Sequence, residues 1–213
     1  MTKQVKIGNV VIGGGNPVAI QSMANIKTSK IDDVVRQIAE LEVLGCDIIR
    51  VSVKDDDDVK ALSEIKKRIS IPLVADIHFN YKYALKAIDS GVDKIRINPG
   101  NIGSEKNVEE VAKALIHSDV AVRVGSNSGS IEKEFLAKYG RSEVSLAESA
   151  LKNVSALERY GVDKIVLSAK ASNVPLTVKT YEYLNKKTDY PLHVGVTAVS
   201  YTHLRAHETG RNL

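Results

Sequence analysis

The 213-residue sequence has one cysteine, no tryptophan and only 5% aromatic residues. A lone Cys46 can form no internal disulfide and cannot by itself hold a zinc ion or an iron–sulfur cluster, so no metal ligands are assigned and any redox metal must come from elsewhere. Aromatics are sparse and the excess of 30 Lys plus Arg over 26 Asp plus Glu is spread along helical stretches, which argues against a nucleic-acid partner. A local anionic ligand fits the charge better. No run approaches about eighteen uncharged apolar residues, and residues 1–17 lack the apolar block and small-residue cleavage site of a secretory signal. The chain therefore reads as cytoplasmic, with no membrane partner. Heptads and low-complexity runs are also missing, which with 43% hydrophobic residues excludes coiled coil, collagen and disorder.

What is present is a recurring unit: a short β-branched run, a polar turn, then an amphipathic stretch. The spacing predicts strands over 18–23, 47–53, 72–77, 93–97, 120–125, 163–168 and 192–197, and helices over 29–44, 56–69, 81–90, 105–117, 143–160 and 175–187. Three helix ends repeat one signature, Leu44-Gly45-Cys46-Asp47, Ser90-Gly91-Val92-Asp93 and Tyr160-Gly161-Val162-Asp163. In each, glycine stands where a left-handed C-cap is needed and a buried strand follows. Strands alternating with helices over short connections mean a parallel sheet, and units of roughly 25 to 40 residues fit an α/β (β/α)8 TIM-type barrel better than a doubly wound sheet. No G-x-G-x-x-G follows the first strand; Gly13-Gly14-Gly15 reads instead as the turn of an N-terminal β-hairpin ahead of the barrel. Seven strands are found where a closed barrel takes eight, so residues 1–197 are expected to form an incomplete barrel domain lacking its last βα unit.

Working residues in such barrels lie at the C-terminal ends of the strands. Residues two apart on a strand share a face, which pairs Arg50 with Ser52, Asp76 with His78, Arg96 with Asn98 and Ser168 with Lys170, and directs them into the mouth with Arg123, Asn127 and His193. Three arginines and a lysine gathered from four strands repel one another by several kcal/mol unless a counter-charge arrives. Arg forks match phosphate oxygens and Lys adds a point charge, so a phosphate or diphosphate ester is the natural ligand. The competing reading is that Asp76 neutralises one arginine while the others snorkel at the rim. Asp76 and His78 suit a catalytic proton-transfer pair, or simply an orienting pair. Lys170 alternatively reads as a Schiff-base lysine of a sugar-phosphate or pterin barrel, against which the three nearby arginines already account for a cationic site. The acidic run Asp55-Asp56-Asp57-Asp58 opens a helix and reads as a solvated cap, His117 as structural, and Cys46 as a small buried residue.

Six motifs follow in order: Gly13-Gly14-Gly15-Asn16-Pro17, Gln21-Ser22-Met23, Val74-Ala75-Asp76-Ile77-His78-Phe79, Arg96-Ile97-Asn98-Pro99-Gly100-Asn101-Ile102-Gly103, Lys170-Ala171-Ser172 and His193-Val194-Gly195-Val196-Thr197. Together, over about 5–197, they resemble the 4-hydroxy-3-methylbut-2-enyl diphosphate synthases of the non-mevalonate isoprenoid pathway. The resemblance implies a (β/α)8 barrel joined to a C-terminal domain whose three Cys and one Glu hold a [4Fe-4S] cluster. It implies reductive ring opening and dehydration of 2-C-methyl-D-erythritol 2,4-cyclodiphosphate, with electrons from flavodoxin or ferredoxin, and a homodimer that sets one subunit's cluster over the other's barrel. By the same resemblance Arg50, Arg96, Arg123 and Lys170 hold the cyclic diphosphate, while Asn98, Asn127, Ser168, His193, Asp76 and His78 line the mouth. Two departures stand out. Ser126 occupies a position where such enzymes usually carry a hydrophobic residue, and residues 198–213 replace their Glu-Ala-Gly continuation with what reads as a non-native tail, in which His203 and His207 only imitate a metal pair. The cluster domain is thus expected to be missing, and the chain to be inactive alone or to act as a non-catalytic diphosphate-binding barrel.

Overall fold

β-Branched residues pair off at the start of the chain. In the computed structural model, which describes residues 1–196, β1 (Val5–Ile7) and β2 (Val10–Ile12) form an antiparallel hairpin with Val5 opposite Ile12. Its turn is Gly8-Asn9, not the expected Gly13-Gly14-Gly15, which follows the hairpin. Two-residue turns need positive φ, and Gly8 supplies it at +57°.

Six parallel strands and seven helices follow among the described residues, each strand leading into one helix except the fifth, which leads into two. They are β3 (Gln21–Met23), α1 (Ile31–Val43), β4 (Ile48–Val53), α2 (Asp56–Arg68), β5 (Leu73–Ile77), α3 (Tyr81–Asp89), β6 (Lys94–Arg96), α4 (Glu105–Ile116), β7 (Ala121–Asn127), α5 (Lys133–Tyr139), α6 (Glu143–Glu158), β8 (Ile165–Lys170) and α7 (Val174–Lys187). Neighbours in the sheet are neighbours in sequence from β3 to β8, the order of a barrel wall rather than of a doubly wound sheet. The expected strand over 192–197 is reduced to a parallel bridge between Leu192 and Leu167, with the His193 amide donating to the Leu167 carbonyl at 2.8 Å. On its far side no strand is paired among the described residues, and a ladder with one short contact does not propagate. Thr197 and the tail 198–213 lie outside the described residues.

α5 was not foreseen: it buries none of its seven residues and so carries no apolar periodicity to detect. The Gly caps behave as expected. The Cys46 amide bonds the Leu41 carbonyl and the Gly45 amide that of Glu42; Val162 and Gly161 repeat this on Leu157 and Glu158. Asp55 caps α2 by accepting from the Asp58 amide at 2.9 Å. Asp58 itself is buried rather than solvated, its carboxylate taking the Ser29 and Lys54 amides at 3.0 and 3.1 Å. Cys46 is buried with its thiol on the Ile48 carbonyl, and His117 is exposed at the end of α4.

Alternation divides the strands. Ile49, Val51, Leu73, Ala75, Ile95, Val122, Val124, Ile165 and Leu167 join the core shared with the helices, whereas Ile48, Val74, Ala121 and Val166 face inward and pack on Val5 and Ile7. The hairpin therefore plugs the N-terminal end and leaves the opposite end open for chemistry. Among the described residues no helix is long and apolar enough to cross a membrane.

Candidate functional site

The register sets one inward row side by side: Ser52 pairs with Asp76, Asp76 with Arg96, and Arg96 with Arg123. Adjacent strands lie about 4.8 Å apart, so four polar side chains crowd along one line of the mouth. β4 adds Arg50, β8 adds Ser168 and Lys170, and Lys170 lies in register with Asn127 at the end of β7. β7 and β8 can meet so closely only because residue 125 is glycine, since a Cβ there would stand 1.6 Å from the Ser168 carbonyl oxygen.

Asp76 is the hub. Arg96 Nη1 donates to its Oδ1 at 3.3 Å, Arg50 Nε lies 3.8 Å from Oδ2, and His78 Nε2 lies 4.0 Å from it, beyond hydrogen-bond distance. Among the described residues Asp76 is the only carboxylate acting on Arg50, Arg123 and Lys170. Arg123 is 4% exposed, which is incompatible with a residue snorkelling at the rim. Arg123 Nη1, Arg50 Nε and Ser52 Oγ are buried without a hydrogen-bond partner among the described residues. Such atoms are costly to leave unpaired, and they mark where an acceptor-rich ligand fits.

The field has a consistent sign. Burial, then Arg50 and Arg96, press on the Arg123 guanidinium from its ordinary value downward, although a guanidinium remains protonated. Burial, then Arg123, Arg50 and Arg96, lower the Lys170 ammonium to about 8. Burial followed by Arg123 and Lys170 lowers His193 to about 2, so it is a neutral imidazole. The Lys170 Nζ rests against the His193 segment, where a Cβ on Gly195 would come within 3.0 Å of it. Asn98 shapes the following turn by accepting from the Gly100 amide at 3.0 Å, and His78 stands half exposed at the edge.

Sequence reasoning missed two contributors. Lys94 shares the inward face of β6 with Arg96, and its signal was that two-residue spacing. Tyr181 of α7 donates to the His193 carbonyl and accepts from the Ala169 amide at 3.1 Å, which ties the His193 segment to β8; a helical tyrosine gives no such signal in sequence. Ser126, the unusual polar residue, faces α6 and is buried in a network: its Oγ meets Ser149 Oγ at 2.5 Å and accepts from Asn153 at 3.1 Å, and Ser149 donates to Glu132.

The residues of this chain do not fit an iron–sulfur cluster. Its single thiol is buried against a backbone carbonyl, and among the described residues no group of three His, Cys, Asp or Glu side chains could hold a metal ion.

Residues 2–203 match the family described as the GcpE TIM-barrel domain. The 4-hydroxy-3-methylbut-2-en-1-yl diphosphate synthase (flavodoxin) of Caldanaerobacter subterraneus subsp. tengcongensis is 52% identical over 198 residues, which are 92% of this chain and 56% of that protein. The enzyme of the same name from Caldicellulosiruptor saccharolyticus is 52% identical over 198 residues, 92% of this chain and 57% of that protein. The chain thus spans little more than half the length of these relatives. Among solved structures, dihydropteroate synthase from Xanthomonas albilineans is similar with a TM-score of 0.65 at 14% identity, covering 99% of this chain and 82% of that chain, which speaks for the fold alone. With both the family match and half-identical relatives running across nearly all of its length, the chain belongs to the GcpE family and carries its TIM-barrel domain.

Proposed function

We propose that this chain is the substrate-binding barrel of a 4-hydroxy-3-methylbut-2-enyl diphosphate synthase, an oxidoreductase of isoprenoid biosynthesis acting in the cytoplasm on 2-C-methyl-D-erythritol 2,4-cyclodiphosphate. The single observation that carries the reading is the charge imbalance of the mouth: Arg50, Arg96, Arg123 and Lys170 converge on one carboxylate, Asp76. A cyclic diphosphate supplies the missing negative charge and two clusters of acceptor oxygens. Arg123 and Lys170 bind it directly in this reading, Asp76 holds Arg50 and Arg96 in place, and Asn98, Asn127, Ser168 and neutral His193 orient the ring oxygens. His78, at the edge and 4.0 Å from Asp76, is placed to give or take a proton when the ring opens and water leaves.

The reducing chemistry belongs to a part of the protein that these residues do not provide. We assign the [4Fe-4S] cluster to a C-terminal domain, with flavodoxin, or else ferredoxin, as donor and a homodimer bringing the cluster over the mouth; the relatives' printed name specifies flavodoxin. A chimera tests this. Residues 2–196 replace the matching segment of the Caldanaerobacter enzyme, and the product is assayed for turnover of the cyclic diphosphate with reduced flavodoxin. Turnover within about tenfold of the parent, lost on Arg123→Met, is expected. A folded, cluster-loaded chimera without turnover refutes it.

A further inference from the structure

The barrel interior is layered. Ile48, Val74, Ala121 and Val166 form an apolar layer above Val5 and Ile7, and the register places Lys94 between Val74 and Ala121 in that same layer. Its side chain is 1% exposed, and among the described residues Nζ has one hydrogen-bond partner, Gln21 Oε1 at 2.9 Å on β3. Among the described residues no carboxylate offsets its charge. An ammonium at such a position is destabilising where leucine or methionine would pack freely, so a structural role does not account for it. It lies one inward step below Arg96, in the strand that joins the rows of Asp76 and Arg123.

We propose that Lys94 takes up a proton when a phosphorylated ligand occupies the mouth, so that the floor of the site gains positive charge in step with the ligand's negative charge. This rests on the anion reading of the mouth. The groups that bear on Lys94 are neutral Gln21 from β3, Arg50 from β4, Arg123 from β7 and neutral His193 beyond α7; Asp76 on β5 and Lys170 on β8 stand one inward step or more higher in the mouth. Asp76 is already engaged by Arg50 and Arg96. In the ligand-free chain, burial, then Arg123 and Arg50, lower the Lys94 amine to about 7, leaving it mostly neutral at pH 8. A multiply charged oxyanion above it reverses the sign of the local field and favours the ammonium. Lys170, lowered to about 8, responds in the same direction but is already about half protonated at pH 8 and has less proton to gain.

Calorimetric titration of the 213-residue chain with inorganic diphosphate at pH 8, in two buffers of different ionisation enthalpy, counts the protons exchanged. Wild type and Lys94→Met both bind, and the variant takes up fewer protons by about half a proton or more per ligand; Lys170→Met lowers the count by less. In 13C-lysine spectra the Lys94 midpoint rises by about one pH unit or more on adding diphosphate. The double variant Lys94→Met/Gln21→Met removes the orphaned amide oxygen and provides the same comparison should the single change disturb the fold. Equal proton counts in wild type and the Met variants, with diphosphate bound, overturn the inference while sparing the anion reading. A wild-type chain that binds no diphosphate overturns that reading, and this inference with it.

Discussion

Replacing Asp76 by Asn is the sharpest perturbation of the mouth, because it keeps the shape and removes the one carboxylate that the described residues place among the cations. The Asp76 side chain is 5% exposed, and the Arg50 and Arg96 side chains beside it are each 19% exposed, so water screens these contacts little. Removing one partner from a buried ion pair leaves its charge uncompensated, at a cost of about 3–5 kcal/mol. In a chain of this size each kcal/mol moves the melting midpoint by about 2–4 °C, so Asp76→Asn lowers it by about 6–20 °C in low-salt buffer without phosphate. Diphosphate should restore most of that loss, since it supplies the charge the carboxylate gave. Differential scanning calorimetry at pH 7.5, with and without diphosphate, reads both effects. A midpoint within about 2 °C of wild type would refute the premise that the cations are held at a cost.

Three further outcomes follow from the same geometry. Lys94 has its pKa lowered on folding from 10.5 to about 7, so between those values the unfolded chain binds more protons and stability should rise with pH; denaturant unfolding at pH 7 and pH 9.5 should show the slope in wild type and its loss in Lys94→Met, an effect on the order of 3 kcal/mol. Gly125→Ala drives a Cβ into the Ser168 carbonyl and must part β7 from β8, so the variant should unfold at lower denaturant and lose diphosphate binding, whereas Gly129→Ala, with open space around it, should do neither. Ser126→Val takes one buried partner from the Ser149 hydroxyl, which keeps Glu132, and one from the Asn153 amide, which keeps the Ser149 carbonyl, and should cost about 1–3 kcal/mol by urea unfolding; adding Asn153→Leu should recover part of it.

Much of this architecture was legible because it is local. Gly45, Gly91 and Gly161 announce three helix ends through a backbone conformation that other residues avoid, and the spacing of Arg50 with Ser52 and of Ser168 with Lys170 follows from the pleat of a strand, whereas Asn98 lies in the turn beyond β6. What escaped depends on distant partners. Gly8 rather than Gly13 makes the hairpin turn because the pairing of Val5 with Ile12 fixes where the chain reverses. Leu192 opens a run that looks like a strand, yet among the described residues it makes a single bridge, to Leu167, and a run's composition does not tell how far its pairing extends. Lys94 reads as the polar start of a strand until the hairpin and the opposite strand β3 enclose it. Tyr181 acts through the carbonyl of His193, a contact no spacing in sequence encodes. Ser126 was visible as an oddity, but its partners Ser149 and Asn153 lie a helix away.

The central claim is that the mouth is an oxyanion site built for a diphosphate ester, and direct titration of the chain with 2-C-methyl-D-erythritol 2,4-cyclodiphosphate tests it most plainly. The account predicts one ligand per chain, affinity that falls steeply as sodium chloride is raised, and a loss of about tenfold or more for each of Arg123→Met and Lys170→Met. Folded wild-type protein that gives no binding, or Arg123→Met that binds as wild type does, contradicts it.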